Sequence, residues 1–118
     1  MKKVLLLVMV VILVLGLAGC ARRLTNASDF AVDIAENVIT IADSYFDGRI
    51  NASTARFMIR ELEHLDELNE AVDNDDDWYI RLRVFKITSE LALDRAESDD
   101  NILEARNELA RGLGMDRR

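Results

Sequence analysis

Three observations predict an all-α fold. The 118-residue chain has no proline. Its five glycines include only three, Gly48, Gly112 and Gly114, beyond residue 20, and the rest of that stretch is rich in residues that favour helix. Apolar side chains also return at steps of three and four, the period of a helix with one buried face. The expected architecture is a small antiparallel helical bundle, three long helices followed by a short C-terminal one, packed stripe against stripe.

The first helix is predicted over about residues 28 to 47, where Phe30, Ile34, Val38, Ile41 and Tyr45 form one stripe and Ala31, Ala35, Ala42 and Phe46 widen it. Asn26 or Ser28 can cap its start, and Gly48 stands where a left-handed residue would end it. A second helix is expected after Ser53, with Phe57, Met58, Leu62, Leu65, Leu68 and Val72 on its apolar side. Arg56, Arg60, Glu63, Glu67 and Glu70 lie on its polar side. The short link from Gly48 to Ala52 sets this helix antiparallel to the first. A third begins near Trp78 with two apolar rows, Trp78, Leu82, Phe85 and Ala92 beside Ile80, Val84, Ile87 and Leu91, an arc wide enough to predict the most buried helix. The last, from Asp100 or Asn101 to Arg111, buries Ile102, Ala105, Leu109 and Leu113 and stops at Gly112 and Gly114. The burial offered by four such faces leaves little margin over chain entropy, so self-association through a leftover stripe is expected.

The N-terminal segment carries an address. Lys2 and Lys3 precede a Val/Leu/Ile/Met run from Val4 to Leu17, the order of a positive n-region and an apolar h-region. The run ends in Leu17-Ala18-Gly19-Cys20, which resembles a bacterial lipobox. That resemblance implies a lipoprotein signal peptide over residues 1–19, with Leu17, Ala18 and Gly19 read by the peptidase and a lipidated Cys20 opening the mature chain. A diacylglyceryl group with palmitate-type chains would sit on the Cys20 thiol, and two acyl chains anchor stably where one does not. An uncut membrane helix is the alternative, but Val4 to Ala21 spans about 27 Å as a helix, marginal for a core of about 30 Å. The expected organisation is a signal peptide (1–19), a lipidated cysteine with a short linker (20–27) and a helical domain (28–118). Placement is expected at the cell membrane or the outer membrane, facing away from the cytoplasm. Ala21, which is not aspartate, permits outer-membrane transfer in a diderm host. Cys20 is the only cysteine, so no disulfide is expected.

Charge narrows the partners. The chain has 15 Lys and Arg, of which Lys2 and Lys3 lie in the n-region, against 22 Asp and Glu, so the mature domain carries about −9. Nucleic acid, which is bound through clustered cations, is not an expected partner. Arg22 and Arg23, just past the anchor, are the residues placed to meet lipid head groups.

Three constellations could carry chemistry. Residues 43–54 resemble a calcium-binding EF-hand loop at Asp43 (first), Asp47 (fifth), Gly48 (sixth) and Ile50 (eighth). Tyr45 replaces the third-position ligand and Thr54 the closing glutamate, while Asn51 adds one more oxygen. The same Tyr-Phe-Asp-Gly-Arg-Ile-Asn-Ala-Ser stretch is similar to a turn of small bacterial helical proteins of unassigned role. The run Asp73-Asn74-Asp75-Asp76-Asp77 could gather a divalent cation, or could cap the third helix and complement its dipole. Glu61 and His64 have the Glu-x-x-His spacing of di-iron bundles, which need two such pairs, and His64 is the only histidine.

No catalytic residue or cofactor is expected: the sequence offers no nucleophile with a base, no phosphate loop and no second histidine. The function expected is non-enzymatic, a lipid-anchored helical module that binds an envelope protein or a second copy, with Trp78, Tyr79, Phe57 and Phe85 as aromatic anchors. The alternative is a weak calcium-binding module using the 43–54 loop or Asp73, Asp75, Asp76 and Asp77.

Overall fold

The computed structural model describes residues 23–70 and 73–118. The signal-peptide residues Leu17, Ala18 and Gly19, the anchor Cys20, its neighbours Ala21 and Arg22, and the stripe residue Val72 lie outside the described residues. The described chain is a helical bundle without strands, made of α1 (Asp29–Phe46), α2 (Ala52–Arg60), α3 (Leu65–Glu70), α4 (Asp75–Leu93) and α5 (Ser98–Leu113).

Helix α1 follows its periodicity. Ile34, Val38 and Ile41 are buried with Ala31, Ala35 and Ala42, while Phe30, Tyr45 and Phe46 pack at the margin of the core. Ser28 precedes it in extended conformation, and Gly48, at φ +74°, turns the chain out of it as a left-handed glycine can.

The expected second helix is two helices. Its cap is Asn51, whose side chain accepts the Thr54 N–H at 2.8 Å, so α2 starts two residues earlier than Ser53 would set it. The buried face of α2 is Ala55 and Ile59, whereas Phe57 and Met58, expected inside, are exposed. The apolar positions explain the break that follows. Leu68 comes nine residues after Ile59, about two and a half helical turns on, so an unbroken helix would turn it to the opposite side. Between them the chain leaves helix at Glu61 and restarts after His64, which takes the left-handed conformation at φ +66°. That turn re-aims the chain, so Leu68 is fully buried and Leu62 and Leu65 pack on the core.

Helix α4 runs through the centre and packs against α1, α2, α3 and α5. One of its two apolar rows does this: Ile80, Val84, Ile87 and Leu91 are buried. The other, Trp78, Leu82, Phe85 and Ala92, is exposed, so the wide arc expected to make this the most buried helix divides between core and surface.

The C-terminal helix is not short. It has 16 residues, starts at Ser98, and runs through Gly112 to a left-handed Gly114 at φ +70°. Gly112 is a packing residue: a Cβ there would lie 2.7 Å from Leu24 Cδ1. The Arg23 and Leu24 N–H groups both donate to the Gly112 carbonyl, at 2.8 and 3.0 Å. The segment expected as a linker is therefore docked on α5, with Leu24 buried.

The phase of α2 gives a direct test. Ile59→Ala should cost about 2–5 kcal/mol in urea denaturation, and Phe57→Ala at an exposed site should stay within about 0.5 kcal/mol. The opposite order would place the expected Phe57 stripe inside.

Candidate functional site

The acidic run at the head of α4 is a clamp. Asn74 is the N-cap, its side-chain oxygen accepting the Asp76 and Asp77 N–H groups at 3.0 and 3.2 Å. Asp75, Asp76 and Asp77 fill the first turn, where negative charge opposes the positive end of the helix dipole. Two of them reach across the sequence. Asp77, only 2% exposed, accepts the Ser28 N–H at 2.8 Å on one carboxylate oxygen and the Ser28 hydroxyl at 2.6 Å on the other. Asp76 accepts the Asn26 N–H at 2.8 Å, and the Asn74 side-chain amide donates to the Asn26 carbonyl at 2.8 Å. Ser28 and Asn26, the two caps foreseen for α1, are thus partners of the α4 cap. Asp73 and Asp75 remain exposed.

The 43–54 turn is occupied by side chains of the same protein. Arg106, a nearly buried residue of α5, places Nε and Nη2 each 2.9 Å from the two oxygens of Asp43, a bidentate ion pair. Arg118 pairs with Asp47 and approaches Asp43 at 3.6 Å. Its guanidinium holds the Asp47 carboxyl below the ordinary aspartate value. Tyr45, at the third loop position, donates its hydroxyl to Asp99 at 2.5 Å. That bond, then burial, pushes the phenol up to about 12. Asn51 is spent on the α2 cap. The turn therefore ties α1 to α5 and to the C-terminal residues.

Glu61 and His64 do not share a helix face, because the chain leaves helix between them. His64 instead pairs through Nδ1 with Glu67 at 2.9 Å, an interaction that raises its pKa. Among the described residues no group of three or more His, Cys, Asp or Glu side chains has the geometry to hold a metal ion.

A third polar cluster had no sequence signal beyond its residue types. Glu90, buried on α4, accepts the Ser98 hydroxyl at 3.0 Å and Arg95 Nη2 at 2.9 Å, and Ser98 Oγ in turn accepts the Arg95 N–H at 2.9 Å. The cluster closes the α4–α5 turn, where Asp94 is left-handed at φ +47°. Burial pushes the Glu90 carboxyl up, but Ser98 and Arg95 outweigh it and hold the group below the ordinary glutamate value.

Of the four suspected aromatic anchors, Phe57, Trp78 and Phe85 are exposed, Phe85 at 70%. Tyr79 is not: it donates to the Glu108 carbonyl at 3.2 Å and lies under the Arg83 guanidinium, 3.6 Å from ring centroid to Cζ. Around the exposed aromatics the charge is positive. From Gly48 to Arg60 and from Trp78 to Ser89 the chain has no Asp or Glu, yet holds Arg49, Arg56, Arg60, Arg81, Arg83 and Lys86. These stretches form α2 and most of α4, which pack together. The fold brings Arg56 beside Phe85 and Leu93, while Arg83 turns to Glu108.

No family model, curated protein or solved structure matches this chain.

Asp77→Asn should destabilise the fold by about 1–3 kcal/mol, the cost of weakening a buried charged acceptor. It should also speed hydrogen exchange at the Ser28 amide far more than at the amides of α4; unchanged protection at Ser28 would remove the clamp. The Glu90 shift sets a pH dependence. A carboxyl held low in the folded state stabilises fully above its unfolded pKa and loses that contribution as pH falls through the folded value. Wild-type melting temperature should therefore drop on acidification below about pH 4.5 more steeply than that of Glu90→Gln. Parallel acid limbs would deny Glu90 this role.

Proposed function

We propose that this chain is a bacterial envelope lipoprotein, cut ahead of Cys20 and diacylated on it, whose helices form a small antiparallel bundle at a membrane surface. Its work is binding, not catalysis: the module engages an envelope protein or a second copy of itself. The observation that carries this reading is Leu17-Ala18-Gly19-Cys20 behind Lys2, Lys3 and the apolar run from Val4 to Leu17. Among the described residues no helix is long and apolar enough to cross a membrane.

The fold supports the reading in two ways. The chain is fastened from Arg23 onward, by the Gly112 carbonyl and then by Asp76 and Asp77. Three peptide units separate Cys20 from Arg23, a reach of no more than about 11 Å, so the domain is held against the surface with little slack. The polar clusters are also committed to structure. Asp43 and Asp47 hold arginines, Asn51 and Asn74 cap helices, and Asp76 and Asp77 hold the N-terminal segment. The alternative calcium module would have to displace these contacts one by one.

Intact mass of the membrane-extracted protein, beside a Cys20→Ala form, tests the proposal. The expected result is a chain beginning at Cys20 and carrying a diacylglyceryl group, lost in the variant together with membrane retention. An unmodified full-length mass would overturn it and make residues 4–21 the anchor.

A further inference from the structure

We propose that the exposed face shared by α2 and α4 lies on an anionic phospholipid bilayer, so that the anchored domain is held flat and in one orientation. The inference rests on the proposed anchorage near residue 20.

The face has the make-up of an interfacial helix. Trp78, Leu82, Phe85 and Leu93, all 41–70% exposed, follow one side of α4 over 16 residues, about 22 Å. Beside them are Arg81, whose guanidinium sits 4.9 Å from the Trp78 ring centroid, the exposed Lys86, and Arg56 from α2. Arg56, Phe85 and Leu93 line one shallow groove between the two helices. Among the described residues Arg56, Arg60, Arg81 and Lys86 form no ion pair, whereas Arg83, turned toward α5, is held by Glu108 at 2.7 Å. Asp75, exposed one turn before Trp78, marks the acidic limit of the face. Apolar and aromatic groups flanked by unpaired cations match the boundary between acyl chains and anionic head groups.

The tether brings this face to the bilayer. The N-terminal segment runs past the first turn of α4 through Asn26 with Asp76 and Ser28 with Asp77, and Leu24 and Tyr79 both flank Gly112. The chain therefore leaves the fold beside the turn that carries Trp78. Acidic residues more than about 8–10 Å away do not cancel the attraction, because they are screened at physiological salt, and Asp75 lies at the rim of the face and not between its cations. A second copy fits less well: a two-fold contact would set the cations of this face against the cations of the same face, and pairing with an acidic side would be a head-to-tail contact.

Trp78 is the only tryptophan, so its emission reads this face directly. Full-length protein is reconstituted into phosphatidylcholine vesicles with and without phosphatidylglycerol, each also made with brominated acyl chains. In the anionic vesicles Trp78 emission should shift to the blue and be quenched by bromine. Raising salt or introducing Arg56→Glu and Lys86→Glu together, with helicity checked by circular dichroism, should reduce that quenching by about half or more. Water-exposed, unquenched emission from protein that remains vesicle-bound would overturn the face while leaving the anchor intact. So would shielding that grows with protein density and accompanies crosslinked dimers, which would assign the face to a second copy. A mass lacking the diacylglyceryl group would overturn the lipid anchor alone, since the apolar run still tethers the chain and Trp78 still reports.

Discussion

One row of four side chains organises this protein. Ile80, Val84, Ile87 and Leu91 on α4 are buried against every other helix, so the placement of each element reduces to how it covers that row. Helix α5 returns along it after the turn closed by Glu90, Arg95 and Ser98. Helices α2 and α3 cover another side, and because the apolar phase slips between Ile59 and Leu68 they do so as two short helices joined through a left-handed His64. A small domain has few apolar residues to spare, so re-aiming Leu68 inward outweighs the modest strain of a left-handed histidine.

The carboxylates settle the edges of this core. In an acidic chain most are solvated, but Asp77, Asp43 and Glu90 each accept from groups brought close by the fold. A buried carboxylate is tolerable only when its oxygens are satisfied, and here they are satisfied by the N-terminal segment, by Arg106 and by the α4–α5 turn. Features that could be taken as cation sites in the sequence thereby become fasteners. Asp77 bears most directly on function, since it fixes where the chain leaves the domain toward the proposed anchor.

The acidic balance of the whole chain conceals a segregation. Residues 48–60 and 78–89 carry cations without anions, and packing α2 on α4 sets Arg56 beside the exposed Phe85 and Leu93. The acidic side chains lie on α1, α3, α5, the turns and the two ends of α4, at Asp75, Asp76, Asp77 and Glu90. A tethered domain with this division of charge has one side suited to anionic head groups and another suited to a basic partner.

Much of this was legible in residue order because it depends on neighbours. The helices of α1, α4 and α5 follow from apolar spacing and the absence of proline; the left-handed Gly48 and the acidic cap of α4 follow from local backbone chemistry; the lipobox resemblance is a contiguous string. What tertiary structure decided depends on partners distant in sequence. Two rows on α4 have equal periodicity, and only the helices packed against Ile80 and Val84 turn Trp78, Leu82 and Phe85 outward. Nothing in Glu61-Leu62-Glu63-His64 announces a helix break, which arises because Ile59 and Leu68 must meet the same core. The Asp77–Ser28 and Arg106–Asp43 pairs join residues 49 and 63 positions apart, contacts that hydrophobic pattern cannot encode. The sequence by itself determined which segments coil and which residues can cap them. Only the fold decided which faces are covered, because burial belongs to pairs of surfaces and not to any one stretch of chain.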